Sequence, residues 1–230
     1  MENLDNEVHV WRSALDWSPA TLDEAMALLA DDEVARARRY QFPRDRRRFV
    51  AARAFLRRTL AGYLAADPAQ LTFTYGEFGK PELLLPGLAT RTVEFNLSHA
   101  GDLALLAITR GRRVGVDVER VEHLPDLPAV AQRFFSSREN AALNEIPAAQ
   151  KVFGFYCCWT RKEAFLKALG DGLAHALDAF DVSLDDAPRV LRVHDDPDAG
   201  SKWTLCHLDP EPGYVAALAL EGHSCQVIWQ

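Results

Sequence analysis

The chain has 230 residues, of which 48% are hydrophobic, 10% aromatic and 26% charged, proportions that exclude disordered, collagen-like and low-complexity classes. Thirty-three acids against 26 bases leave a net charge of −7, yet residues 36–58 hold ten arginines and one acid, Asp45, so the remainder carries −16. An acidic protein with one dense basic segment is not built to coat nucleic acid; the segment suits a single compact anion. No secretory leader pattern and no apolar run of about 18 residues is evident, so no membrane partner and a cytoplasmic location are expected. Cys157, Cys158, Cys206 and Cys225 form no CxxC pair and read as reduced, mostly buried thiols.

In chain order, residues 8–11 alternate as a strand. Ser18-Pro19 opens a helix with Leu22, Met26 and Leu29 at helical spacing. A second helix covers 33–40. A third begins at Pro43 and runs to about Ala65, with Phe49, Ala52, Leu56 and Leu60 on one face and Arg46, Arg47, Arg53 and Arg57 on others. Strands follow at 71–75 and 93–97, separated by a loop framed by Gly76 and Gly79 and ending in Lys80-Pro81. The apolar run 103–109 and the alternating stretch 114–121 are also strands. Three helices then cover 127–135, 136–143 and 148–169, the last ending at Gly170, and strands return at 180–184, 190–193, 203–208, 214–220 and 225–229. Helices followed by strands, twice, suggest a pseudo-repeat with its join near residues 110–113.

Three stretches carry candidate chemistry. Asp117-Val118-Glu119 sets two carboxylates on one strand face, about 7 Å apart at the backbone, a spacing that suits a hard cation such as Mg²⁺. Glu163 and Lys167 are four residues apart on one helix face. Lysine is scarce, five against 21 arginines, and three of the five (Lys80, Lys162 and Lys167) sit beside glycines, aromatics or the candidate metal ligands. Ser98-His99 precedes a tight turn and suits phosphate better than a hydrolase triad, since neighbouring strand side chains diverge and no nucleophile-elbow motif is present.

Together these segments resemble the 4′-phosphopantetheinyl transferase superfamily, in its double-length, surfactin-synthetase-activating type. The likeness rests on Gly79-Lys80-Pro81, the stretch from Phe95 to Asp102 (FNLSHAGD), Gly115-Val116-Asp117-Val118-Glu119 and Arg133-Phe134-Phe135-Ser136. It ends with the stretch from Trp159 to Lys167 (WTRKEAFLK), followed by Gly170 and Gly172. The resemblance implies an α/β (α+β) fold of two similar halves, 1–112 and 113–230, packed as a pseudo-dimer with the active site in the cleft between them. It implies a holo-[acyl-carrier-protein] synthase type of enzyme that moves the phosphopantetheine arm of coenzyme A to a serine of an apo acyl, peptidyl or polyketide carrier protein. Adenosine 3′,5′-bisphosphate is released.

On that pattern Asp117, Glu119 and Glu163 hold Mg²⁺, with Mn²⁺ as the alternative. Arg36, Arg48, Lys80, Ser98, His99, Lys162 and Lys167 bind CoA, and Glu163 or Glu139 takes the serine proton, with Lys167 beside it. Arg36 and Arg48 match basic contacts to the adenosine 3′-phosphate, although Glu33 stands where the family often has a base. The segment 120–135, with Leu124, Leu127, Val130 and Phe134, is the candidate carrier-docking surface, and a monomer is expected. The alternative reading is a catalytically silent CoA- or nucleotide-binding module.

Overall fold

A computed structural model describes residues 4, 6–77, 79–84, 93–170, 177–193, 198–223 and 226–230; Gly172 and Cys225 lie outside them. The chain runs β1 (Glu7–Ala14), α1 (Pro19–Met26), α2 (Asp31–Arg38), α3 (Pro43–Leu64), β2 (Phe73–Tyr75), β3 (Pro81–Leu83), β4 (Glu94–Ala100) and β5 (Leu103–Thr109). It continues through β6 (Val114–Arg120), α4 (Leu127–Phe134), α5 (Ser137–Glu145), α6 (Lys151–Leu169), β7 (Phe180–Val182), β8 (Val190–Val193), β9 (Trp203–Leu208), β10 (Tyr214–Glu221) and β11 (Gln226–Trp229). None of these helices is long and apolar enough to cross a membrane.

The connectivity repeats. In the first half β1 leads through helices to the long α3, then to the β2–β3 ribbon, then to β4 and β5, with β5 hydrogen-bonded between β1 and β4. In the second half β6 leads to the long α6, then to the β7–β8 ribbon, then to β9 and β10, with β10 between β6 and β9. The fold is therefore two similar α/β halves. One strand crosses over: β11 returns to the first sheet and pairs parallel with β1.

The two sheets pack face to face, burying Val8, Val10, Leu103 and Leu105 of one against Val116, Val118, Ala216 and Leu218 of the other. Helix α3 covers the outer face of the first sheet through Ala52, Leu56 and Leu60 against Leu106 and Ile108. Helix α6 covers the second through Phe165 and Ala168 against Ala217 and Ala219. Strand β5 is thus covered on both faces, and all seven of its residues are buried. This is why 103–109 reads as an unbroken apolar run and not as an alternating one.

Each half also contains a buried charged strut. In the first, Glu33 of α2 accepts from Arg53 Nε (2.6 Å) and Arg57 Nε (2.7 Å) of α3, and both guanidiniums lie over the Phe73 ring of β2. In the second, Glu139 of α5 accepts from Lys162 Nζ (2.5 Å) of α6, and Lys162 lies 4.2 Å from the centre of the Phe180 ring of β7. Both glutamates also accept from the backbone amide three residues earlier, Ala30 and Ser136, closing the first turn of their helices. Arg53 and Arg57 are consequently spent inside the fold, and the basic segment is not one continuous ligand wall.

Candidate functional site

Glycine 115 sets the geometry of the cleft. A β-carbon there would come within 2.1 Å of the Ala164 carbonyl and 2.4 Å of the Ala168 amide, so only glycine lets α6 lie directly on β6. The alternation of β6 sends Val114, Val116 and Val118 between the sheets, and turns Gly115, Asp117 and Glu119 toward α6. Helical spacing brings Glu163 and Lys167 to the same place, one turn apart.

Strand β4 completes the site from the other half. Asn96 Oδ1 accepts from the Val116 amide at 2.8 Å, and Ser98 Oγ from the Val118 amide at 3.4 Å, so β4 side chains replace a strand partner at the edge of β6. Ser98 Oγ then donates to Asp117 Oδ1 at 3.0 Å. Lys167 Nζ donates to both, at 2.9 Å to Ser98 and 2.5 Å to Asp117.

Carboxylates are crowded here beyond what that one ammonium balances. Burial pushes the Asp117 carboxyl up, against the pull of Lys167 and Ser98. Burial, then the Asp117 and Glu163 charges, raise Glu119 to about 7, despite Lys167 and a hydrogen bond from Trp159. Glu163 is raised by burial and by Asp117. Asp117 is only 4% exposed, and its Oδ2 is buried without a hydrogen-bond partner.

A buried, unpartnered carboxylate oxygen flanked by two strained acids fits a hard divalent cation on donor chemistry. Among the described residues no group of three acidic, histidine or cysteine side chains is gathered closely enough to hold a metal ion by itself. Mg²⁺ usually takes only one or two carboxylates, with water and phosphate oxygens completing its shell.

At the mouth, the His99 ring is exposed beyond Ser98. The protein around it, followed by the charges of Lys167 and Arg48 and to a smaller extent Arg36, holds its imidazole below the ordinary histidine value. Those four cationic or imidazole groups therefore face one region. Arg36 is exposed, with its guanidinium 5.3 Å from the centre of the Phe49 ring, whereas Arg48 is held by Asp102 through Nε at 2.7 Å.

Three expectations change. Lys162 and Glu139 are fully buried, spent on each other, on the Phe180 carbonyl and on the Val182 amide, so neither faces the cleft. Lys80 reaches the cleft but donates to the Val114 (3.2 Å) and Lys167 (2.7 Å) carbonyls. It thus caps the last turn of α6 and ties the halves together. Leu127 is buried, and Leu124, Val130 and Phe134 pack on the second-half core, so the apolar side chains of segment 120–135 serve packing. Sequence reading assigned no role to Asn96 and Trp159 at the site; Asn96, an amide set between Phe95 and Leu97 on β4, was the available signal. Cys157, raised by burial to about 11, and Cys158, which burial pushes well above the usual thiol value, are inert thiols.

Two family models match this chain: the 4′-phosphopantetheinyl transferase superfamily over residues 113–219, and the 4′-phosphopantetheinyl transferase N-terminal family over residues 15–110. Among curated proteins, the 4′-phosphopantetheinyl transferase HetI of Nostoc is 41% identical over 97% of this chain and 91% of its own. A Bacillus subtilis 4′-phosphopantetheinyl transferase is 32% identical over 82% of this chain and 86% of its own, and the transferase Sfp of that species 28% over 84% and 82%. With the interhalf cleft, its carboxylates and its lysine in place, the chain belongs to the 4′-phosphopantetheinyl transferase superfamily.

Proposed function

We propose that this chain transfers the phosphopantetheine arm of coenzyme A to a carrier-protein serine, using the β4–β6–α6 cleft. The observation that carries the reading is the unpartnered Asp117 Oδ2, beside Glu119, Glu163 and Lys167 on one face of β6 and α6. A silent anion-binding module would have no use for that cluster of acids.

Asp117, Glu119 and Glu163 would hold Mg²⁺ or Mn²⁺. When bound, the cation supplies charge neutralisation for the pyrophosphate oxygens and the departing bisphosphate. Lys167, anchored by Ser98 and Asp117, brings an ammonium to the same phosphates. Arg36 and Arg48 form the outer, positive end, with the His99 imidazole beside them as a hydrogen-bonding group, suited to the phosphorylated adenosine. Lys80 holds the α6 terminus that carries Lys167.

In the reaction the serine hydroxyl oxygen bonds to the pyrophosphate phosphorus that bears the pantetheine arm. The bond from that phosphorus to the bridging oxygen breaks, and adenosine 3′,5′-bisphosphate leaves. Glu163, its carboxyl already raised above the usual range, accepts the serine proton. The fused halves supply their own cleft, which suits a monomer, and the acidic surface suits a cytoplasmic enzyme with no nucleic-acid partner.

The direct test is incubation with CoA, Mg²⁺ and apo carriers of fatty-acid, polyketide and nonribosomal-peptide type, read by intact mass. The expected result is addition of one phosphopantetheine, abolished by EDTA. No mass gain on any carrier would overturn the reading.

A further inference from the structure

The turn between β4 and β5 carries a carboxylate that the catalytic cluster does not use. Gly101 takes the left-handed conformation at φ 55°, and Tyr214 OH lies 2.9 Å from where a β-carbon would sit, so the turn is held closely. The Asp102 carbonyl accepts from the Leu15 amide at 2.7 Å, which fixes the backbone on a second side. From this anchored position the side chain reaches α3, where Asp102 Oδ1 accepts from Arg48 Nε at 2.7 Å.

The contact uses only one edge of the guanidinium. Arg48 is 18% exposed at its side chain, yet its two terminal nitrogens have no protein acceptor among the described residues. They are free for a ligand that accepts two parallel hydrogen bonds, as phosphate does. Arg44 and Arg120 also act on the Asp102 charge, but each has a carboxylate of its own, Asp45 and Glu122, so Arg48 is the arginine that Asp102 holds. Arg36 lies on the Phe49 ring and, among the described residues, has no such carboxylate to aim it.

We propose that Asp102 is a positioning residue for Arg48, orienting its free terminal nitrogens to grip the 3′-phosphate of CoA and so setting the preference for CoA over 3′-dephospho-CoA. This rests on reading the cleft as the CoA site. It assigns Asp102 no contact with the reacting phosphorus.

The test is equilibrium binding of CoA and of 3′-dephospho-CoA to wild type, Asp102→Asn, Asp102→Glu and Arg48→Ala, by calorimetry with the metal present. Wild type should favour CoA. Asp102→Asn should weaken CoA about fivefold to tenfold and leave 3′-dephospho-CoA unmoved. Asp102→Glu should regain part of the preference, and Arg48→Ala should lose it with no further loss when combined with Asp102→Asn. Equal weakening of both ligands, no change in either, or tighter CoA binding in Asp102→Asn would each overturn the proposal. A separate transfer assay on wild type keeps the two readings apart: absent transfer with an intact CoA preference would sink the transferase reading alone.

Discussion

Strands β1 and β6 hold equivalent places in the two halves, each at the start of its repeat and each facing a long helix, but they present opposite chemistry there. On the face of β1 that meets α3, the polar groups are satisfied within their own half. Tyr63 OH of α3 lies 2.5 Å from His9 Nδ1 and accepts from Trp11 Nε1 at 2.9 Å, while His9 Nε2 lies 3.2 Å from Glu7. On β6, Asp117 keeps a buried oxygen unmatched, and its neighbours Glu119 and Glu163 are pushed toward their neutral forms. One scaffold, used twice, is closed at one copy and left with unspent acceptors at the other. Between these two equivalent faces, polar satisfaction fails only at β6, although Asp181 Oδ1 on β7 is also buried without a partner.

The sharpest way to break that comparison is to truncate the equivalent faces in parallel. Asp117→Ala should lower kcat/KM by more than about a thousandfold, since it removes charge where the metal and the phosphates meet. His9→Gln should lower the melting temperature while keeping kcat/KM within about threefold. Comparable losses of turnover from both, in steady-state assays at full folding, would mean that the β1 face takes part in the chemistry.

Next in size are the two struts, which the comparison treats as equivalent and structural. Lys162→Met leaves Glu139 charged and enclosed, and should cost about 3–5 kcal/mol in urea unfolding. Adding Glu139→Leu should recover most of it, and Arg57→Met should behave likewise in the first half, where Glu33 is left under-compensated. The folded fraction should keep its kcat/KM in each case. A loss above about a hundredfold in fully folded Lys162→Met would return Lys162 to the phosphates.

A smaller effect tests how the second half brings its helix onto its strand. Gly115→Ala must displace the Ala164 carbonyl and the Ala168 amide, and should cost about 1–3 kcal/mol. Because the displaced turn carries Glu163 and Lys167, turnover should fall more than stability. Unchanged turnover in a folded variant would show that the close approach does not set the site.

Much of this was legible from the chain because local patterns and the tertiary result agree. The alternation at 114–121 turns Asp117 and Glu119 to one face, and the i,i+4 spacing pairs Glu163 with Lys167, whatever the rest of the fold does. Lys80, Lys162 and Glu139 have protein partners that the chain alone does not reveal, for a common reason. A charged side chain looks the same in sequence whether it meets a ligand, a helix terminus or a buried partner, and only packing decides. The basic segment misled similarly: Arg53 and Arg57 share the apolar spacing of α3 loosely enough to look exposed, but Glu33, twenty residues before Arg53, draws both inward. Parallel pairing of β11 with β1 joins the two ends of the chain, and no local pattern encodes it.

The smallest effect separates the two faces by pH. Glu119 carries a folded-state carboxyl pKa of about 7, above its unfolded value, so the native state binds more protons than the unfolded chain between those two points. Its contribution to stability is present below the unfolded pKa and is lost as pH rises through 7. The metal-free protein should therefore melt lower at pH 8 than at pH 6, by about 2–4 °C. Glu119→Gln should flatten that difference, and added Mg²⁺ should reduce it by binding the ionised form, both read by calorimetry. His9→Gln should leave the slope in place, since the excess of acid lies on β6. A slope that survives Glu119→Gln unchanged would take the titration away from Glu119, and one that also survives Glu163→Gln and Asp117→Asn would remove the charge asymmetry on which the contrast between β1 and β6 depends.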